Sequence, residues 1–326
     1  MSTINWGIIG CGDVTEVKSG PAFYKVAGSK VIAAMRRNAA KAADFAKRHN
    51  IGKWYDDGSK LINDAEINAI YIATPPSSHI TYAIESMQKG HDVYIEKPIA
   101  LNAGEVRKIA EVAKQTGCKV SIAHYRRAMT MFLHIKELIE NGTIGEVRTV
   151  QMRLLQSAVP ELITHVEDAW RVDPEVSGGG YFFDIAPHQL DIMLFLFGEA
   201  QYFNGLSLNQ SHTNKVDDHT TGTILFKNGV VFSGVWSFNV APAEAIDQCE
   251  IFGTKGKIVF PVFGNTVYWK NEDDEKNLTF DPGAHIAQPM VEQVINYFNG
   301  TQQHNPCSID DALQSMEILN AFAQHR

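Results

Sequence analysis

Asp184 and His188 stand four residues apart, and three glycines, Gly178 to Gly180, come just ahead of them. On a helix that spacing puts both side chains on one face. Histidine changes charge near neutral pH, so the pair suits proton transfer with a bound molecule. Glycines there let a ligand approach the backbone. Spacing alone leaves two other readings open: a surface ion pair or, with Asp191 one turn further on, a metal site. Lys97, in the run Glu96-Lys97-Pro98, is a second candidate. Proline keeps the residue before it extended. A desolvated ammonium held that way can donate a hydrogen bond to an oxygen gaining negative charge. A lysine in a surface turn would have the same local sequence.

The stretch WGIIGCGDVTEV offers different chemistry. Gly10 and Gly12 follow a short apolar run, where bare backbone can approach a pyrophosphate. A helix opening at Asp13 and Val14 would present its unpaired N–H groups and positive dipole end to the phosphates. Thr15 stands where the full G-x-G-x-x-G pattern has its third glycine, and an ordinary tight turn is the alternative. The run KSGP at 18–21 should shorten this helix. Arg36 falls 24 residues after Gly12, beside Arg37, and no acidic residue occurs from 31 to 41. In a dinucleotide site that position meets the adenosine ribose. An acidic residue there selects NAD, whereas an arginine accommodates the 2′-phosphate of NADP. The arginines therefore predict NADP(H) as the preferred cofactor, with NAD(H) possible, the alternative being two solvated charges at a helix start.

These residues need elements to hold them. Apolar runs at 4–9, 31–35, 68–73, 92–95 and 119–123 alternate with helical patterns at 39–49, 79–89 and 103–115. That alternation predicts βαβ units and a doubly wound parallel sheet. After about residue 125 the texture changes to a helix at 131–141, a long alternating strand at 147–155 and a helix at 181–197. Antiparallel strands are expected over 201–270, with turns at 227–229 and 253–256, and helices at 287–299 and 309–325 close the chain. The expected organisation is α/β: a Rossmann domain over 1–125 and an α+β domain over 126–326. The closing helix is a candidate to pack back on the first domain.

The 326 residues carry a net charge of -8, with 44% hydrophobic and 20% charged residues. Two domains with buried cores are expected. No overall positive field draws nucleic acid or anionic membrane. The start, MSTINWGIIG, does not read as a signal peptide, and no apolar run approaches the ~20 residues of a membrane span. Cys11, Cys118, Cys249 and Cys307 show no C-x-x-C spacing. Together these features predict a soluble cytoplasmic protein without a disulfide framework.

Three stretches add a family resemblance: IATPPSSH (72–79), VYIEKPIAL (93–101) and AWRVDPEVSGGGYFFDIAPHQLDIM (169–193). With the glycine turn, they resemble the glucose–fructose oxidoreductase and inositol 2-dehydrogenase (Gfo/Idh/MocA) family, nearest its 1,5-anhydro-fructose reductase-like branch. The resemblance extends over nearly the whole chain. It implies a Rossmann domain followed by a domain with an open, mostly antiparallel sheet, with nicotinamide in the cleft between them. It also implies NAD(P)-dependent oxidoreduction of a carbohydrate-like small molecule. Lys97 corresponds to the family's catalytic lysine, His188 to the acid/base at the reacting oxygen, and Asp184 to a group that orients substrate or stabilises the imidazolium. Thr74, Pro75 and His79 are expected along the cofactor's ribose and nicotinamide side. Glu96 is expected on the nicotinamide ribose, and Trp170 and Arg171 against the cofactor. Arg126 is a further cofactor candidate, and Tyr125 and His165 are substrate candidates. Hydride transfer to a carbonyl with Lys97 in place requires no metal, so none is expected. The resemblance also implies a homodimer or homotetramer formed through the second-domain sheet. The rival functions are a trans-dihydrodiol or inositol-type dehydrogenase and a non-catalytic cofactor-sensing regulator; intact Lys97, Asp184 and His188 argue against the latter.

Overall fold

The first apolar run, Ile4–Ile9 (β1), is buried along almost its whole length, as a strand covered on both faces must be. It pairs in parallel with Ser29–Met35 (β2) and with Ala69–Ile72 (β4). Lys53–Tyr55 (β3), Asp92–Ile95 (β5) and Val120–Ile122 (β6) complete a six-stranded sheet of order β3-β2-β1-β4-β5-β6. Every pairing in it is parallel. This computed structural model describes residues 3–163 and 170–323.

The order reverses between β1 and β4, which creates the crevice where open α/β sheets bind ligands. Helices Ala39–Arg48, His79–Gln88 and Ala103–Thr116 lie close to the expected spans. The side chains of Asn38 and Asn102 cap the first and third by accepting from Lys41 N and Glu105 N. β3 was absent from the expected set; it is a three-residue edge strand with a half-exposed pattern, too short to show periodicity.

The segment after the glycine turn is split, and the split has a physical cause. Val14–Lys18 is a π-helical turn, Ser19 intervenes, and Gly20–Lys25 forms a second short helix. A Cβ on Gly20 would lie 2.0 Å from Thr15 O, so glycine is required for the restart. Pro21 takes the first turn of the new helix, where no N–H is needed. The restart delivers Phe23 into an aromatic cluster beneath the sheet edge. Phe23 packs edge-on to Trp6 at 4.8 Å and against Tyr71 at 4.7 Å, and Tyr71 stacks on Tyr94 at 5.4 Å.

The chain divides into two compact units, Met1–Arg126 with Gly283–Leu313, and Arg127–Pro282 with Gln314–Arg326. The expected consecutive split at 125/126 therefore misses a return: part of the C-terminal region belongs to the first unit. Helix Gln288–Phe298 brings Phe298 to 5.7 Å from Trp6. Residues beyond it bond to β6, with Cys307 O accepting from Ile122 N and Asn305 Nδ2 donating to Val120 O. The assignment changes inside the closing helix, Ile309–Phe322.

The second unit is built on an eight-stranded sheet. Val147–Leu155 (β7) pairs in parallel with Val231–Ser237 (β10) and antiparallel with Ile246–Gly253 (β11). Ala200–Leu208 (β8) and His219–Phe226 (β9) extend one side by antiparallel pairing. Gly256–Phe260 (β12), Thr266–Asn271 (β13) and Glu275–Thr279 (β14) extend the other. Placing β7 between β10 and β11 produces the one parallel pair in a mostly antiparallel sheet. β14, largely exposed and polar, lay beyond the expected end of the sheet at residue 270. A glycine row crosses the sheet, with Gly205 opposite Gly222 and Gly222 opposite Gly234. A Cβ on Gly222 would meet the Phe322 ring at 2.2 Å, so the row makes room for the closing helix.

Helix Gly180–Phe197 is buried on nearly all sides, as expected of a helix inside a domain rather than on its surface. One of its anchors is Asp191, whose carboxylate accepts from Arg127 Nε at 3.0 Å on both oxygens and lies 2.7 Å from Arg127 Nη2. Both side chains are buried. Removing either partner leaves the other charge buried without its partner, so Asp191→Ala or Arg127→Ala should cost about 3–5 kcal/mol in urea unfolding. Replacing both with apolar residues of similar size should cost less.

Candidate active site

Four loops rise from the same edge of the parallel sheet. Gly10 follows β1, Arg36 follows β2, Thr74 and Pro75 follow β4, and Glu96 and Lys97 follow β5. Gly10 has φ +97, and a Cβ on it would come within 2.7 Å of Ala73 C and Thr74 N. No other L-residue fits there without moving the β4 turn. A Cβ on Gly12 would meet nothing within 4 Å among the described residues, so its face is open to an approaching group. Thr15 occupies the third glycine's place, with its Oγ1 donating to Gly12 O at 2.7 Å. The hydroxyl thus closes the turn from below. Asp13 is exposed and Val14 half-buried at the start of the π turn. A turn of this build at the switch point fits the pyrophosphate of a dinucleotide.

The two arginines part company. Arg36 is half-buried and its Nη1 donates to Cys11 O, inside the glycine turn, at 3.2 Å; Arg37 is exposed. The helical segment after the glycines is held to helix Ala39–Arg48 by Glu16, which accepts from Arg48 Nη1 and Nη2 at 2.7 and 2.6 Å. His49 Nε2 is 2.9 Å from the same carboxylate. The Arg48 bonds hold the Glu16 carboxyl down, from 4.5 to about 2.

Glu96 carries the β4–β5 pairing one step further by donating its N–H to Ile72 O at 2.9 Å. Its carboxylate accepts from the Tyr71 hydroxyl. That hydroxyl is also 2.8 Å from Ser19 Oγ, so a buried polar chain runs from the glycine-turn segment to the residue beside Lys97. Desolvation pushes the Glu96 carboxyl up, partly offset by the Tyr71 bond and the Lys97 charge. Tyr71 and Ser19 were missed because NAIYIA reads as a plain apolar strand and KSGP as a break. The Lys97–Pro98 peptide is cis.

His79 was expected on the cofactor face, but it is fully buried. Its ring lies between Pro98 O, 3.0 Å from Nδ1, and Thr74 O, 2.7 Å from Nε2. Burial lowers its pKa from 6.5 to about 4, against the pull of the backbone carbonyls. It belongs to the support of the two turns rather than to their surface. At the end of the first unit, Arg126 is buried with its guanidinium 5.3 Å from the centre of the half-buried Tyr125 ring.

The second unit carries the other candidates. Trp170 and Arg171 open a 3₁₀ turn, and the Arg171 guanidinium stacks 4.5 Å from the Trp170 ring centre. Arg171 Nε also donates to Asp184 Oδ2 at 2.7 Å, with both side chains less than a fifth exposed. A residue expected on the cofactor and one expected in catalysis are therefore joined. Asp184 and His188 share a face of helix Gly180–Phe197, and Gly180 starts that helix at φ +75. His188 is 7% exposed, its ring edge-on to Phe263 at 5.8 Å. Asp191, the third member of the possible metal set, is bound to Arg127. Among the described residues no group of three His, Cys, Asp or Glu side chains could hold a metal ion, and no helix is long and apolar enough to cross a membrane. His165 lies outside the described residues.

A parallel sheet of this order, with a glycine turn at its switch point, defines a Rossmann dinucleotide-binding fold. The chain belongs to the Gfo/Idh/MocA oxidoreductase family: residues 4–124 match its NAD-binding Rossmann fold and residues 132–259 its C-terminal domain. It is 43% identical over 321 residues, 98% of each chain, to Oxidoreductase P35 of Formosa agariphila. It is 25% identical to a 1,5-anhydro-D-fructose reductase of Ensifer adhaerens, over 85% of this chain and 83% of that one. Among solved structures, an oxidoreductase from Thermotoga maritima superposes with a TM-score of 0.87 at 23% identity, over 99% of this chain and 96% of that one. A 3-ketoreductase from Actinomadura kijaniata, in complex with NADP and TDP-benzene, superposes at 0.83 with 16% identity, over 98% and 97%. The protein is an NAD(P)-binding oxidoreductase acting on CH–OH groups.

The depressed Glu16 carboxyl fixes a pH window. Its stabilising effect is fully present above pH 4.5 and is lost as pH falls towards 2, because the unfolded chain takes up the proton first. Unfolding midpoints measured across that range should drop more steeply for the wild type than for Glu16→Gln.

Proposed function

We propose that this protein is an NADPH-preferring oxidoreductase that transfers hydride between the nicotinamide and the carbonyl or alcohol carbon of a sugar-like ketone or cyclic polyol. The observation that carries the reading is the shared sheet edge from which Gly10, Arg36, Thr74 and Lys97 all rise. Arg36 is drawn against the glycine turn by Cys11 O, the region where an adenosine 2′-phosphate comes to lie. Its fork of five donors suits phosphate oxygens. One relative, a 1,5-anhydro-D-fructose reductase, supports a sugar-like substrate, and structural neighbours carry NADP or NAD+.

Bound nicotinamide supplies or accepts the hydride. The chain's own residues handle the oxygen. In the reductive direction Lys97 donates a hydrogen bond as carbonyl becomes alkoxide, and His188 delivers the proton that completes the alcohol. Asp184, steadied by Arg171, orients the substrate hydroxyls. Trp170, stacked on Arg171, closes over the cofactor in this reading. The domain roles follow: the sheet unit of residue 1 onwards binds cofactor, and the unit begun at Arg127 selects substrate.

The open face of the second sheet suits self-association into a homodimer or homotetramer. Tyr202 (59% exposed), Leu206 (39%), Leu208 (43%) and Val231 (37%) lie on that face, an apolar set unusual for solvent. Tyr202→Lys with Leu206→Lys should shift the mass measured by light scattering towards the monomer.

Fluorescence titration should show tighter binding of NADPH than NADH, and Arg36→Asp should abolish or reverse that preference. An unchanged preference would remove Arg36 from the site. Lys97→Ala and His188→Ala should each lower kcat by about 10²–10⁴-fold while cofactor still binds; near wild-type turnover in both would refute their roles.

A further inference from the structure

His79 does something that neither the sequence pattern nor the family match assigns. It begins helix His79–Gln88 and is fully buried, yet its two ring nitrogens face carbonyls from two separate turns. Thr74 O belongs to the turn after β4, beside Pro75. Pro98 O belongs to the turn after β5, one residue past Lys97. The Thr74 turn is further fixed by Ser78 Oγ, 2.7 Å from Thr74 Oγ1 and 3.0 Å from Pro75 O. The Lys97 turn receives the ring from behind.

We infer that His79 is a positioning residue that couples the cofactor-side turn at Thr74–Pro75 to the turn presenting Lys97, so that the two are set together. This rests on the reading of Lys97 as the catalytic group. The imidazole is the right shape for the task. Its nitrogens point in different directions from a rigid ring, so one side chain reaches two backbones with little entropy to lose. Burial keeps the ring neutral at pH 7, so it holds one N–H. With one N–H the ring donates to Thr74 O, 2.7 Å from Nε2, or to Pro98 O, 3.0 Å from Nδ1, according to its tautomer, and packs against the other carbonyl. The charge of Lys97 also opposes protonation of His79. A displaced Lys97 would lose alignment with the reacting oxygen, and a 1 Å error can cost about 100-fold in rate.

The test compares His79→Phe, His79→Gln and His79→Asn in the full-length protein. Phenylalanine keeps a ring in the space without nitrogen. The glutamine amide nitrogen can replace Nε2, and the asparagine amide nitrogen replaces Nδ1. His79→Phe should weaken NADPH binding and lower kcat by about 10-fold or more. His79→Gln should restore cofactor affinity better than His79→Asn, because its amide nitrogen takes the place of Nε2 beside Thr74 O. Lys97 is read separately, without substrate, by its labelling rate with an amine-reactive reagent mapped by peptide mass; His79→Phe should change that rate.

Wild-type affinity and an unchanged Lys97 labelling rate in His79→Phe would overturn the inference and leave His79 a spacer. If His79→Phe fails to fold, equal cofactor affinity in the Gln and Asn variants would overturn it instead. Absence of turnover in the wild type with every sugar-like ketone would count against the proposed function. Binding and labelling would still decide the role of His79.

Discussion

The constraint on which the glycine turn depends is the contact of two turns at Gly10. The chain leaving β1 passes so near the backbone of Ala73 and Thr74 that no side chain fits between them. Much of the arrangement at this sheet edge follows from that contact. It puts the glycine turn beside the β4 turn at the point where strand order reverses. It leaves the outer face of Gly12 open. It also makes Thr74 a shared element, touched from one side by the glycine turn and from the other by His79. Through the His79 ring the same contact reaches Pro98 and Lys97.

Beneath this edge, polar groups are placed within a largely aromatic layer. Tyr71 packs with Phe23 and Tyr94, while its hydroxyl joins Ser19 and Glu96. A strand residue can do both because the ring fills volume and the hydroxyl reaches past it. In the second unit charged pairs fill the corresponding role. Asp184 is held by Arg171, and Asp191, two turns further along the same helix, by Arg127. Buried charges need partners, and these pairs fix how the helix presents His188 and Asp184.

Much of this was legible from residue pattern. Buried parallel strands need continuous apolar runs, so β1, β2, β4, β5 and β6 stood out. Helices capped by Asn38 and Asn102 matched their expected starts within a residue. β3 and β14 did not stand out, because short or polar edge strands bury too little to show a period. Asp184 shows the limit at the site. Its spacing placed it on one helix face with His188, four residues on, but carried no sign of the ion pair it also makes with Arg171, thirteen residues back. Helical spacing states which side chains share a face, not which partner folds over that face.

The sequence by itself determined the main buried strands and long helices, the glycine turn, and the motifs carrying Lys97, Asp184 and His188. These are local properties, set by apolar period, backbone freedom and residue type. The tertiary structure alone decided that Arg36 turns to the glycine loop while Arg37 faces solvent, that Ser19, Tyr71 and Glu96 form one chain, and that His79 lies behind the site. The reason is common to all three. Direction and pairing depend on which distant backbone carbonyl or side chain arrives within about 3 Å, and that is set by the packing of the whole sheet.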